Sequence, residues 1–308
     1  MEDWLEPGLR FLHYALLLGL FGWTAFRVIG LRELNLQQWG NGFAVAMVGA
    51  VLAPLVSLVL MLTSIAAMMG QPLAALERPM VEAMIFGTDL GWAFLFRAAL
   101  LGGGLIAFLL RNRLASALPI AALWYASALI TLAWSGHAAA TEGGLGLFHR
   151  LNDGLHLLAA GLWLGAIGWF LHLVIRAHRR VDDAQARNLL DAMHRFAPLG
   201  VTLVSVVAIT GLINAQLIFG ITNSAAVLTT DYGILLAGKL VLVCGMLAFA
   251  AHNARIGRRE ASTNNSQAND SPASLAALRR SLAGEFGLAV GVVGLVAVLG
   301  MMSPMAME

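Results

Sequence analysis

The stretch His149 to Trp163 reads HRLNDGLHLLAAGLW and joins two imidazoles and a carboxylate to a run apolar enough to lie in a bilayer. On a helix turning about 100° per residue, His149, Asp153 and His156 fall within an arc of about 60°, and Trp163 continues the stripe. An imidazole one helical turn from a carboxylate is an arrangement for metal capture. The carboxylate accepts one ring N–H or balances cationic charge, and the other ring nitrogen is left for the metal. At about 1.5 Å per residue, His156 lies roughly 10 Å below the boundary of the apolar run. Polar side chains at such depth face a bundle interior or a water-filled cavity.

Other groups fall at a similar depth: His13, Arg97, Asn214, Gln216 and Lys239, with His137 in WSGHAA at the end of another apolar run. The same side is rich in thioether sulfur. Met68, Met69, Met80, Met84 and the closing MMSPMAME, with Met301, Met302, Met305 and Met307, make eight of the 13 methionines. Thioether with imidazole suits copper, and thioether selects the soft Cu(I) ion, whereas magnesium or calcium calls for oxygen ligands. Taken singly, each of these residues has an ordinary alternative. Methionine fills gaps in apolar cores, His13 fits a packing or hydrogen-bonding role, His149 an interfacial one, and Arg97 and Lys239 serve as counter-ions to Asp89, Asp153 or Asp231. Asp153 with His156 stands apart, because two ionisable groups on one face at membrane depth require partners.

The elements that must position these groups are membrane helices. The chain is 59% hydrophobic and 12% charged over 308 residues, against roughly 25% charged in a soluble domain. Runs long enough to cross about 30 Å of hydrocarbon lie near 9–29, 41–69, 89–110, 115–136, 150–175, 196–219, 233–254 and 281–302. The expected fold is all-α, one polytopic bundle of eight transmembrane helices spanning 1–308, with the second helix tilted or kinked by Pro54. The first run follows the acidic start MEDWLEP and is read as a span rather than a cleaved signal peptide.

Of the 19 basic residues, 14 lie in alternate connections: Arg27 and Arg32, Arg111 and Arg113, Arg176 to Arg195, and Arg255 to Arg280. The positive-inside bias makes those connections cytoplasmic and both termini periplasmic, together with the segment from His137 to His149. The pI of about 9.1 is accounted for by this bias and does not indicate nucleic-acid binding. The single cysteine, Cys244, rules out an intrachain disulfide. Residues 257–274, polar and poor in large apolar groups, read as a flexible cytoplasmic loop, and LERPMVEAMIFG as a short interfacial helix with Met80 and Met84 on one face. The spacings Gly161, Gly165, Gly168 and Gly287, Gly291, Gly294 suit close helix approach. Neither a P-loop nor a hydrolytic triad is visible, so the expectation is a protein that is not an enzyme.

SGHAA at 135–139, D-x-x-H-x-x-A-A-x-x-W-x-G from Asp153 to Gly165, HRFAPLG at 194–200, TG at 210–211 and DYGILLAGK at 231–239 together resemble the CopD family of bacterial inner-membrane copper-resistance proteins. The opening MEDWLEPGLRFLHYALLLGLFG is similar to that family as well. The resemblance implies copper moved from periplasm toward cytoplasm, and a separate periplasmic CopC-type copper carrier as partner. It also implies functional roles for His137, Asp153, His156 and Lys239. His149, Met301 and Met302 join the candidate ligand set on chemical grounds alone.

Two other readings compete. A b-type haem protein would use His156 and His172, sixteen residues and about 24 Å apart along one helix, with His13 and His252 as partners; the two differ by about 160° in azimuth. A copper-delivery or assembly factor would need the same outer site as a transporter. An inward route would draw on Cys244, Met246, Met47 and Met61.

Overall fold

The computed structural model describes residues 4–32, 34, 42–180, 183–262 and 271–304, with backbone only for 178–180, 183–187, 257–262 and 271–274. Among them, eight helices are long and apolar enough to cross a membrane. They are α1 (Leu5–Ile29), α2 (Phe43–Met68), α4 (Asp89–Leu109), α5 (Ala117–Ile130), α6 (Gly143–Arg180), α7 (Asp183–Ile218), α9 (Asp231–Ser262) and α10 (Ser271–Leu299). Between them, α3 (Arg78–Gly87) is the short helix expected over the Met80 and Met84 segment, and α8 (Ser224–Val227) is a single turn. No strand occurs among the described residues.

The bundle is organised around α1 and α6. Helix α1 packs against α2, α5, α6 and α10, and α6 also packs against α7 and α10. A Cβ on Gly22 would overlap the Gly161 carbonyl, and one on Gly165 would overlap the Gly22 carbonyl, so the two backbones touch. This is the close approach that small residues permit in membranes. The matching spacing in α10 does something else. A Cβ on Gly287 would meet nothing within 4 Å, and those on Gly291 and Gly294 would meet only the side chains of Leu242 and Phe11. Small residues there are compatible with side-chain packing, and no backbone contact results.

Several spans exceed the expected lengths. Helix α6 begins seven residues before 150 and ends at Arg180, and α7 begins at Asp183, so both protrude beyond a bilayer core of about 30 Å. Helix α9 continues to Ser262 and α10 starts at Ser271, so both ends of the 257–274 loop are helical; its centre, 263–270, lies outside the described residues. The fourth span is broken: α5 ends at Ile130 and the chain tightens into 3₁₀ turns at Thr131–Trp134 and His137–Ala140. That break brings His137 to the end of the bundle where α10 finishes.

Candidate metal centre

The polar groups divide into two clusters on opposite sides of the α1–α6 contact. The larger lies between α6, α7, α9 and α10. His156 Nδ1 is 2.9 Å from Thr210 Oγ1, while the Thr210 hydroxyl lies 2.5 Å from the Val206 carbonyl of its own helix. A carbonyl only accepts, so the hydroxyl proton is spent on Val206 and the Thr210 oxygen accepts from the imidazole. Nδ1 then carries the hydrogen, and in a neutral ring Nε2 is the nitrogen with its lone pair available.

The ring of His156 is therefore oriented by Thr210 and not by Asp153, one turn earlier. Asp153 Oδ1 accepts from Asn214 Nδ2 at 3.0 Å. Asn152 Nδ2 donates to Asn214 Oδ1 at 2.7 Å and to the Thr210 carbonyl at 2.9 Å. Lys239 of α9 is within electrostatic reach of Asp153. Asn152 and Thr210 were absent from the candidate set. The TG pair at 210–211 was the available signal, and Gly211 also borders the His156 ring: a Cβ there would make ordinary contact with its Cε1 at 3.5 Å.

His137 joins this cluster from the broken fourth span. Its Nε2 is 3.1 Å from the Leu299 carbonyl, in the last turn of α10, where carbonyls lack helical partners. Nε2 must donate, so Nδ1 is the free nitrogen of the neutral ring. Tyr232 at the start of α9 packs edge-on against this ring, with centroids 5.9 Å apart. The same Leu299 carbonyl accepts the Met302 backbone N–H at 3.2 Å, and Met302 packs against the buried cluster formed by Phe219, Val227, Tyr232 and Leu299. Met302 is thus anchored beside His137, whereas Met301 is 42% exposed. Met305 and Met307 lie outside the described residues. His149 is buried, its Nδ1 2.9 Å from Thr141 Oγ1, and it is within electrostatic reach of His137. Among the described residues no three His, Cys, Asp or Glu side chains converge as a ready-made metal cage. Ligands from this set would have to close on the ion.

The second cluster holds His13 and Arg97. They line a cavity of about 340 Å³ between α1, α2 and α4 with Glu6, Arg10, Ser57 and Met61. Arg97 donates to the Thr131 hydroxyl at 2.7 Å and to its carbonyl at 3.0 Å, and Arg10 pairs with Glu6 at 3.0 Å. Neither ring nitrogen of the buried His13 has a partner. Two guanidinium groups against one carboxylate leave this cavity positive, which opposes a bare metal cation. His13 and His156 therefore face different helix pairs, and the pairing a haem would need on this side is not formed. His172 lies edge-on to Trp23 and Trp169, with centroids 5.8 Å away in both cases. The sulfur atoms considered for an inward route are also dispersed: Cys244 is exposed, Met61 lines the His13 cavity, Met47 packs near α1 and Met246 is buried near Trp163.

Residues 1–147 match the family described as copper resistance protein D-like, N-terminal domain, and residues 190–299 match copper resistance protein D. The chain is 36% identical to copper resistance protein D of Pseudomonas syringae pv. tomato, over 99% of this chain and 98% of that one. The chain belongs to the copper resistance protein D family. It is also 28% identical to inner membrane protein YebZ of Escherichia coli K12, over 80% of this chain and 81% of that one. A 28% identity to copper transport protein CutJ of Bacillus subtilis 168 covers 63% of this chain and 36% of that one. No solved structure matches the chain. With its eight apolar helices and a relative named for the inner membrane, it is a multi-pass inner-membrane protein. Helix α6, which carries Asp153 and His156, falls largely between the two matched regions and packs on helices of both.

Proposed function

We propose that this protein binds copper at the end of the bundle bearing His137 and moves it across the inner membrane toward the cytoplasm. The observation that carries the reading is the held imidazole of His156. It lies at membrane depth, its Nδ1–H is fixed on Thr210, and its Nε2 lone pair is the one left for metal. His137, through Nδ1, is the second nitrogen ligand, and Met302 is the best-placed thioether for Cu(I). His149 and Met301 border the same end. Asp153, held by Asn214 and faced by Lys239, sets the charge beside the ion.

The arginine-rich connections at the other end support a periplasmic position for this one through the positive-inside bias. A separate periplasmic CopC-type protein then supplies the copper. One relative is named for copper resistance and another for copper transport, which supports the same assignment. The test is Cu(I) binding to the purified protein together with copper accumulation in cells. His156→Ala is expected to lose both, and His137→Ala to weaken both. Wild-type affinity and accumulation in the two variants would overturn the site.

A further inference from the structure

Below the metal cluster, α6, α9 and α10 bury a carboxylate that the copper site does not use. Glu285 of α10 is 2% exposed. Asn253 Nδ2 donates to its Oε2 at 2.9 Å, and the side chain of Trp163 lies within reach of the same carboxyl group. Both partners are neutral. Asn253 Oδ1 and Ser281 Oγ, one turn from Glu285, are buried without partners. An ionised carboxylate buried among neutral groups is expensive, and in membrane proteins such groups mark ion pathways and proton relays.

Its position is as telling as its burial. Trp163 stands two helical turns beyond His156 on the same stripe of α6, and Lys239, Met246 and Asn253 recur every seven residues along α9. Met246 and Trp163 share one buried cluster with Ala289 of α10. A line of named side chains thus descends from Lys239 and His156 through Trp163 and Met246 to Asn253 and Glu285. The titratable groups on the helices packed against α10 are held or placed elsewhere. His156 is bonded to Thr210 and His172 is packed on tryptophans. Arg27 donates to the Leu31 carbonyl. Arg176 of α6 is partly buried, while His194 and Arg195 of α7, His252 and Arg255 of α9, and Arg279 and Arg280 of α10 itself are exposed.

We propose that Glu285 is a proton-binding station on the copper route, and that passage of the metal is coupled to loss and return of its proton. This rests on the transport reading above. The carboxyl group is protonated while the line is empty. When a monovalent copper ion enters beside it, the proton passes to water at the arginine-rich end, so one positive charge replaces another. When the ion leaves toward that end, the carboxylate takes a proton from water at the receiving end through the emptied line, so each copper ion carried inward brings one proton and the interior acidifies. Asn253 and Trp163 hold the carboxyl oxygens through both states.

The experiment uses the full chain in sealed vesicles containing a pH-sensitive dye, with Cu(I) supplied outside. The wild type is expected to take up copper with a matching change of internal pH. Glu285→Gln, which mimics the protonated acid, is expected to retain Cu(I) affinity and lose both uptake and the pH change, with Glu285→Asp recovering part of each. Infrared difference spectra provide a readout that needs no transport. Copper addition should remove the carbonyl band of a protonated carboxyl group in the wild type, and that band should be missing from Glu285→Gln. Wild-type uptake and pH change in Glu285→Gln, or a spectrum without that band, would overturn the proton role while leaving transport standing. A wild type that binds copper and takes none up would instead overturn the transport reading, and this proposal with it.

Discussion

At the scale of single residues, the chemistry depends on which ring nitrogen each histidine has free, and that follows from the neighbour's capacity to donate or accept. Thr210 cannot give its proton to His156 because Val206 already takes it. Thr210→Val should therefore loosen the ring, which keeps the Val207 backbone within reach, without removing a ligand. The expected result is Cu(I) affinity reduced by about 10 to 100-fold, the range for loss of an orienting partner, against loss of binding in His156→Ala. Asp153→Asn keeps an acceptor for Asn214 but removes the negative charge facing Lys239, and should weaken binding without reorienting the imidazole. Titrating the three purified variants with Cu(I) checks the order; equal affinity in Thr210→Val and wild type would show that the ring needs no such partner.

Among the helices, the α1–α6 contact decides whether the two clusters stay apart. Gly165 sits where its missing Cβ is replaced by the Gly22 backbone, so a side chain there must push the helices apart. Gly165→Leu is expected to destabilise the fold by more than the roughly 1–3 kcal/mol common for overpacking, read as a sharply lower melting temperature in detergent. Gly287→Leu, at a position where an added Cβ meets nothing within 4 Å, serves as the control and should melt close to wild type. If both melt alike, the glycine contact is not what holds α6 in place.

The whole molecule is polarised along its axis. Met302, His137 and the first residues of α6 gather at one end, and the connections rich in arginine at the other. Reporter fusions within 263–270 and after Arg180 are expected to report the cytoplasm, and fusions at both termini the periplasm. A periplasmic signal from the first two would reverse the assignment of the receiving end, and with it the direction of copper movement.

Particular residues show how far the sequence carried by itself. Eight spans, the interfacial helix over Met80 and Met84, and the shared face of Asp153 and His156 were legible because length, hydropathy and the 100° turn are local properties of one segment. The family was legible because its motifs are contiguous runs. Partners were not. That Thr210 rather than Asp153 holds His156, that Asn152 ties α6 to α7, and that His137 meets α10 through the Leu299 carbonyl all depend on how helices far apart in the chain are rotated against each other. His13 and His156 have the same residue type and similar depth, and the sequence could group them. Only the packing of α1 against α6, set by glycines whose backbones touch, sends one toward a positive cavity and the other toward Thr210 of α7. Glu285 makes the same point, since its charge was visible in the sequence and its neutral partners, Trp163 and Asn253, were brought to it by the tertiary structure.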